Sequence, residues 1–299
     1  IRDRRCKEDV VFDAACFIIL TLVLFVVAYP LYWVIISSIS APSAVSSGKV
    51  LLHPIGFTLK GYAEVFKNDQ VMRGFLNSLI ITFCGVMVNL IVTLPTSYAL
   101  SRSNFSGKKP ITIFYLITMF FGGGLIPTYL VIQRLQMLNT IWALILPGCL
   151  SVYNMIVART FFKSNISEEL YEAAEIDGCT QARFFFQIAL PLSKAIIAIL
   201  VLYYGVGHWN SYFSALVYIS DKAKYPLQLV LRNILITNQT ALSQTATTAA
   251  ARAALQEKQQ LIDVMKYSLI IISSIPVLVM YPLVQKHFVK GVMIGSMKG

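Results

Sequence analysis

Ser167-Glu168-Glu169-Leu170-Tyr171-Glu172-Ala173-Ala174-Glu175-Ile176-Asp177-Gly178, followed after nine residues by Ile188-Ala189-Leu190-Pro191, is a polar island between two apolar stretches of membrane length. Glu168, Glu169, Glu172, Glu175 and Asp177 put five carboxylates into ten residues. Each charge would cost several kcal/mol or more in lipid, so the segment reads as a loop. Ser167 is a good N-cap, and the acidic residues behind it suit the positive end of a helix. Leu170, Ala173, Ala174 and Asp177 recur at helical spacing, and the small residues there allow close approach of a partner. Gly178 can end the helix in a left-handed conformation. Two readings stand side by side: a docking helix for a soluble partner, or a capped amphipathic surface helix with none.

The chain around this island is unlike a soluble domain. Its 299 residues are 57% hydrophobic and 13% charged, with mean hydropathy +0.68, which points to a polytopic membrane protein. Cys6, Cys16, Cys84, Cys149 and Cys179 lie far apart, with no paired spacing, and read as buried or membrane thiols. The net charge of +11 comes from residues flanking apolar segments. That fits loops beside anionic headgroups and not a nucleic-acid stripe.

A spanning helix needs roughly 20 mostly apolar residues. Six candidates meet this: about 14–38, 75–100, 111–132, 141–160, 190–219 and 267–286. Gly122-Gly123-Gly124 and Pro127 interrupt the third, as a hinge or a close-packing site, and the fourth is short. The basic start (Arg2, Arg4, Arg5, Lys7) precedes an apolar run too long for a signal-peptide core, so the start is expected to stay in the cytoplasm. Segments assigned to the inside carry 14 of the 25 basic residues over the shorter total length, which favours both termini inside. The expected organisation is a cytoplasmic N-terminus over 1–13, a transmembrane domain over 14–286 and a cytoplasmic tail over 287–299. The acidic loop, about 167–191, then faces the cytoplasm, and outer loops lie at about 39–74 and 220–266. The tract from Gln239 to Gln260 reads equally as a surface helix or an irregular segment.

Charged residues are nearly absent from the six spans: Arg159, Lys194 and Lys286 lie at span ends assigned to the inside, and His208 is the only clearly ionisable intramembrane residue. A carrier coupled to an ion generally binds it with an intramembrane carboxylate or base. No phosphate-binding loop is present either: Ser106-Gly107-Lys108 and Ser47-Gly48-Lys49 lack the rest of that motif. Energy for uphill transport would therefore come from another chain. Tyr204, His208, Trp209, Asn210 and Tyr212 form the densest aromatic and polar cluster in a span. They read either as a lining for a polar solute or as helix-packing groups. Asn77, Ser78 and Asn89 are expected to hydrogen-bond between helices. No catalytic constellation and no metal-ligand spacing is visible, so the chain is not expected to be an enzyme.

Glu172-Ala173-Ala174, Gly178 and Ile188-Ala189-Leu190-Pro191 together resemble the EAA loop of ABC importer permeases. Phe121-Gly122-Gly123-Gly124-Leu125-Ile126-Pro127-Thr128-Tyr129, Trp209-Asn210 and the tail from Tyr281 to Gly299 are similar to the carbohydrate-uptake branch, of the MalG-like, LplC/YtcP type. The resemblance covers most of the chain. It implies an all-α membrane subunit with six transmembrane helices in the type I importer fold and a cytoplasmic coupling helix. It implies Glu172, Ala173, Ala174, Asp177, Gly178, Ile188, Leu190 and Pro191 at the ATPase-coupling surface, with Glu172 against an ATPase arginine. Lys290, Gly291 and Lys298 are implied as further ATPase contacts. The implied partners are a second homologous permease, two ATPase subunits that bind ATP and magnesium, and an extracytoplasmic solute-binding protein delivering an oligosaccharide. The expected location is the bacterial cell membrane. The rivals are an ABC permease for a non-sugar solute and a self-contained ion-coupled carrier. The sequence does not identify the sugar.

Overall fold

The computed structural model describes residues 7–241 and 249–296, and among these it contains helices and no strand. The chain divides into two compact units, residues 1–69 with 231–273 and residues 70–230 with 274–299.

The first unit begins with α1 (Lys7–Ser38). Its span Val11–Ser38 is apolar on every side, and none of its most apolar window is buried within the chain. A helix apolar all round needs lipid or another chain about it. Its end is pinned: Trp33 Nε1 donates to Val50 O at 2.8 Å, and the Tyr32 hydroxyl donates to Leu52 O at 2.6 Å. Ile36 packs there with Ala44, Val45, Val50 and Val264. Trp33 also meets Tyr267 edge-on at 5.1 Å. The segment expected as an outer loop over 39–74 holds two short helices, α2 (Pro42–Ser46) and α3 (Lys60–Lys67), and the start of α4 (Asp69–Ser101).

α4 organises the second unit. One face reads Ser78, Ile81, Gly85, Asn89, Thr93 and Ser97, all buried, at intervals of three and four residues. Small residues let neighbouring backbones approach, and the polar ones bind them. Ser78 Oγ accepts from Leu227 N at 2.8 Å, and Ser97 Oγ donates to Met155 O at 3.1 Å. The expected role of Asn77, Ser78 and Asn89 between segments is thus observed.

Three of the six expected spans are broken, the third span at the glycines expected to interrupt it. The third, 111–132, is α5 (Lys108–Phe120) and α6 (Leu125–Arg134), bent by 113°. Gly124 at φ +83° turns the chain there, a conformation that favours glycine. The fourth, 141–160, is α7 (Trp142–Ile145), a 3₁₀ turn over Leu146–Gly148 and α8 (Val152–Asn165), bent by 52°. Pro147 cannot donate a backbone hydrogen bond and so favours the interruption. Past α9 (Glu168–Ile176) come α10 (Gln181–Phe184), a π turn over Phe185–Ala189, α11 (Leu190–Leu192) and α12 (Lys194–Trp209). The chain bends by 80° between Leu192 and Lys194. The expected span 190–219 also breaks after Trp209, before α13 (Tyr212–Tyr218).

The described residues of the segment expected as the second outer loop, 220–266, are largely helical. α14 covers Leu227–Ala241, and α15 runs unbroken from Ala249 to Ser296. The tail expected to begin at 287 therefore continues a helix that also contains the sixth span. The tract 239–260 is helical over 239–241 and 249–260, and its remainder lies outside the described residues.

Candidate functional site

α9 is a helix with both ends chemically closed. Ser167, in extended conformation, accepts from Leu170 N at 3.3 Å. At the far end Gly178 sits at φ +75°, its N–H bonding Glu175 O at 2.9 Å, while Cys179 N bonds Ala174 O at 2.9 Å. This paired closure satisfies carbonyls that a helix end leaves open, and it requires the left-handed residue.

One face of α9 is anchored. Tyr171 is 5% exposed and meets the Phe184 ring edge-on at 5.2 Å. The Arg102 guanidinium lies 4.0 Å from the Tyr171 ring centre, and its Nη2 pairs with Glu168 Oε2 at 2.7 Å. Glu168 Oε1 accepts from Ser103 N at 3.1 Å. Desolvation acts to raise the Glu168 pKa, but the Ser103 hydrogen bonds and the charges of Arg102 and Lys108 outweigh it, so the group sits below the usual carboxylate range.

Glu172, Ala173, Ile176 and Asp177 turn away from Tyr171, and these together with Glu175 and Gly178 are all exposed, with Ala174 half-buried. Ile176 is 87% exposed. An isoleucine ringed by carboxylates on a rigid helix gains about 1.5–3 kcal/mol on being covered. Downstream, Thr180 Oγ1 caps α10 by accepting from Arg183 N at 3.3 Å. Ile188 and Leu190 pack partly buried against the core of Tyr98, Phe162 and Phe184, and Pro191 is exposed at the bend before α12. The sequence-predicted coupling residues therefore split into an outward set on α9 and a supporting set at 188–191.

The fifth-span cluster is divided as well. Trp209 is 2% exposed and Tyr204 6% exposed, both inside the bundle. The Tyr204 hydroxyl lies 2.8 Å from Thr93 Oγ1 and accepts from Ser151 N at 3.2 Å. Asn89 Nδ2 donates to Gly148 O at 2.7 Å, and Asn89 Oδ1 lies 2.7 Å from His208 Nε2. With the amide so oriented, His208 Nε2 is the donor. These bonds tie the interrupted fourth span to α4 and α12. Asn210 is exposed and bonds back to Val206 O at 2.9 Å, and Tyr212 is also exposed. Lys290 and Gly291 lie on α15, whereas Lys298 lies outside the described residues. Among the described residues, no group of three His, Cys, Asp or Glu side chains could hold a metal ion.

No protein-family model matches the chain. It is 36% identical over 288 residues to the polygalacturonan/rhamnogalacturonan transport system permease protein YtcP of Bacillus subtilis (strain 168), covering 96% of this chain and 98% of that protein. It is 38% identical over 293 residues to the protein LplC of the same organism, covering 98% and 97%. This chain belongs to the carbohydrate-uptake ABC-transporter permeases. Its fold matches a crystal structure of a bacterial ABC transporter involved in the import of the acidic polysaccharide alginate, with TM-score 0.85 and 27% identity over 95% of this chain and 99% of that one.

An ABC-transporter permease is a multi-pass membrane subunit, and membership implies an ATPase and a solute-binding protein as partners. Sequence reading of this permease missed two residues of the α9 region. Ile176 could have been found as the one β-branched residue between Glu175 and Asp177. Arg102 could not, because its pairing with Glu168 spans 66 positions and no local pattern announces it.

Proposed function

We propose that this permease forms half of the translocation path of an ATP-driven oligosaccharide importer and receives the ATPase stroke through α9. The observation that carries this is the split character of α9: one face tethered by Tyr171 and Glu168, the other exposed with Glu172, Ala173, Ile176 and Asp177. A rigid, capped helix with an acidic, partly apolar outer face suits a groove on a soluble subunit. Motion of that subunit would pass through Arg102 into α4 and through Tyr171 into the aromatic core, both of which lead into the bundle. A partner shifts such an equilibrium only by its different affinity for the two states.

In this reading ATP and magnesium are bound by the ATPase subunits and the chain has no ATPase site of its own. A second, homologous permease completes the path, and both termini and α9 face the cytoplasm of a bacterial cell. A relative named for polygalacturonan and rhamnogalacturonan, and a structural neighbour concerned with alginate, support an oligosaccharide as cargo. The test is uptake of a labelled trigalacturonate by the complete importer in proteoliposomes. ATP-dependent accumulation supports the reading; uptake by this chain alone, without ATP, overturns it.

A further inference from the structure

α4 has two ends, and only one of them belongs to α9. Its Ser101 end adjoins α9 through Arg102 and Ser103. Asn77, roughly 36 Å away along the helix, donates its side-chain amide to Ala223 O at 2.9 Å and Tyr225 O at 3.1 Å. The segment 219–226 is therefore at the end of the bundle remote from α9. A pocket of about 360 Å³ opens there, lined by Tyr129, Leu138, Asn139, Tyr218, Ser220 and Tyr225 among others. Its volume lies within the roughly 300–1,000 Å³ range of ligand clefts, which are lined by aromatic groups and a few placed polar atoms.

The pocket is built rather than left over. Tyr129 is half-buried and forms an aromatic wall, backed by the buried Tyr218 ring 6.2 Å away with planes only 24° from parallel. Asn139 adopts φ +63°, a conformation that asparagine tolerates better than most residues. Its N–H donates to Tyr218 O at 2.9 Å, and its Oδ1 accepts from Ser220 N at 3.1 Å and Asp221 N at 3.0 Å. Its carbonyl accepts from Lys224 Nζ at 2.9 Å. These bonds hold the wall before any ligand arrives, which lowers the cost of ordering on binding. Asn139 Nδ2 donates to no described residue. Scaffolding explains the other bonds of Asn139, a pocket-lining residue, and leaves its two Nδ2 N–H donors available to solvent or a ligand.

We propose that this pocket is a sugar subsite, in which a pyranose unit of the cargo stacks on the Tyr129 wall and accepts a hydrogen bond from Asn139 Nδ2; the inference rests on the oligosaccharide-import reading. A pyranose presents a face of C–H groups that an aromatic ring covers, and hydroxyls that need polar partners. The remote end of α4 is where cargo would enter if α9 faces the ATPase. Of the aromatics that the sequence favoured, Tyr204 and Trp209 are packed inside the bundle and Tyr212 is exposed.

The test is initial-rate uptake of labelled trigalacturonate and maltotriose by the complete importer in proteoliposomes, with its solute-binding protein, for wild type, Tyr129→Ala, Tyr129→Phe and Asn139→Asp. Asn139→Asp keeps the oxygen that holds Ser220 and Asp221 and removes the Nδ2 donors. Expected is a KM for the transported sugar raised roughly three- to tenfold by Tyr129→Ala, the range of one aromatic contact. Asn139→Asp should also raise KM, and Tyr129→Phe should behave as wild type. The subsite is overturned if Tyr129→Ala and Asn139→Asp keep the wild-type KM, if Tyr129→Phe fails as Tyr129→Ala does, or if only the maximal rate falls. Should Tyr129→Ala not assemble, Asn139→Asp decides by the same KM criterion. If wild type imports neither sugar, the oligosaccharide reading itself fails and takes the subsite with it, a result distinct from normal wild-type uptake with indifferent variants.

Discussion

Arg102 and Glu168 form an ion pair at 2.7 Å that ties the end of α4 to the first turn of α9. The arginine side chain is 11% exposed and the carboxylate 42% exposed, so the pair straddles the protein surface. The guanidinium also covers the Tyr171 ring at 4.0 Å. One cation thus holds the helix by a charge contact and by an aromatic face. The ion pair contributes at most about 1 kcal/mol because water reaches Glu168. The ring contact contributes roughly 1–2 kcal/mol.

Arg102→Ala should loosen α9 without preventing insertion of the permease. Arg102→Lys should restore only part of the attachment, since a lysine keeps the charge but loses the flat fork that lies on Tyr171. Hydrogen exchange of amides 170–176 measures this directly. Protection is expected to fall in the order wild type, lysine, alanine, while amides within α4 stay protected.

Glu168 gives that attachment a pH dependence of known sign. Its pKa is lowered in the folded chain. A lowered folded value contributes stability that is present above the unfolded value and lost as pH falls through the folded one. Exchange of amides 170–176, corrected for intrinsic rates, should therefore be flat across neutral pH and rise only in acid, below the usual carboxylate range. Glu168→Gln should remove the acid limb. Loosening centred near neutral pH would contradict this account.

Gly178 should tolerate asparagine and reject valine. Its φ is +75°, and a Cβ there would meet nothing within 4 Å, so the penalty is one of backbone conformation and not of crowding. An ordinary L-residue in this region costs about 1–2 kcal/mol, and a β-branched one is worse. Transport is expected to be near wild type for Gly178→Asn and strongly reduced for Gly178→Val, at equal membrane abundance.

Gly85 shows the opposite kind of constraint. A Cβ there would fall 2.5 Å from Cδ2 and Nε2 of His208, a rigid ring fixed by Asn89. Gly205 faces the methyl of Met280, the far end of a flexible chain that can move aside. Gly85→Ala should lower the detergent melting temperature clearly and Gly205→Ala only slightly. Adding His208→Ala to Gly85→Ala should recover part of the loss, a coupling between neighbours that a double-mutant cycle detects.

What the sequence showed and what it hid follow from the range of the interactions. Ser167 and Gly178 close α9 through bonds to residues three to five positions away, so local pattern sufficed to bound that helix. Apolar length likewise located the six membrane segments. The glycine triplet marked the break in the third, but apolar length did not reveal the bends of the fourth and fifth, because hydropathy along a segment is the same whether the axis is straight or turned. It did not separate lining from packing in α12, where Tyr204 and Trp209 are buried by groups on α4 and beyond. The same blindness to distant partners hid Arg102 and the Asn139 scaffold. Both assemble only when segments dozens of residues apart are brought together.

The central claim is that the outer face of α9 docks a cytoplasmic ATPase. The most direct measurement is the amount of ATPase subunit that co-purifies with the permease from its native membrane, for wild type and for Glu172→Ala combined with Ile176→Asp. Both side chains are exposed, so the double variant should fold and insert as wild type does. The account predicts that ATPase co-purifies with wild type and is at least about tenfold depleted in the variant, the effect of losing roughly 1.4 kcal/mol or more of docking energy. Undiminished ATPase on the double variant, at equal permease abundance, would contradict it.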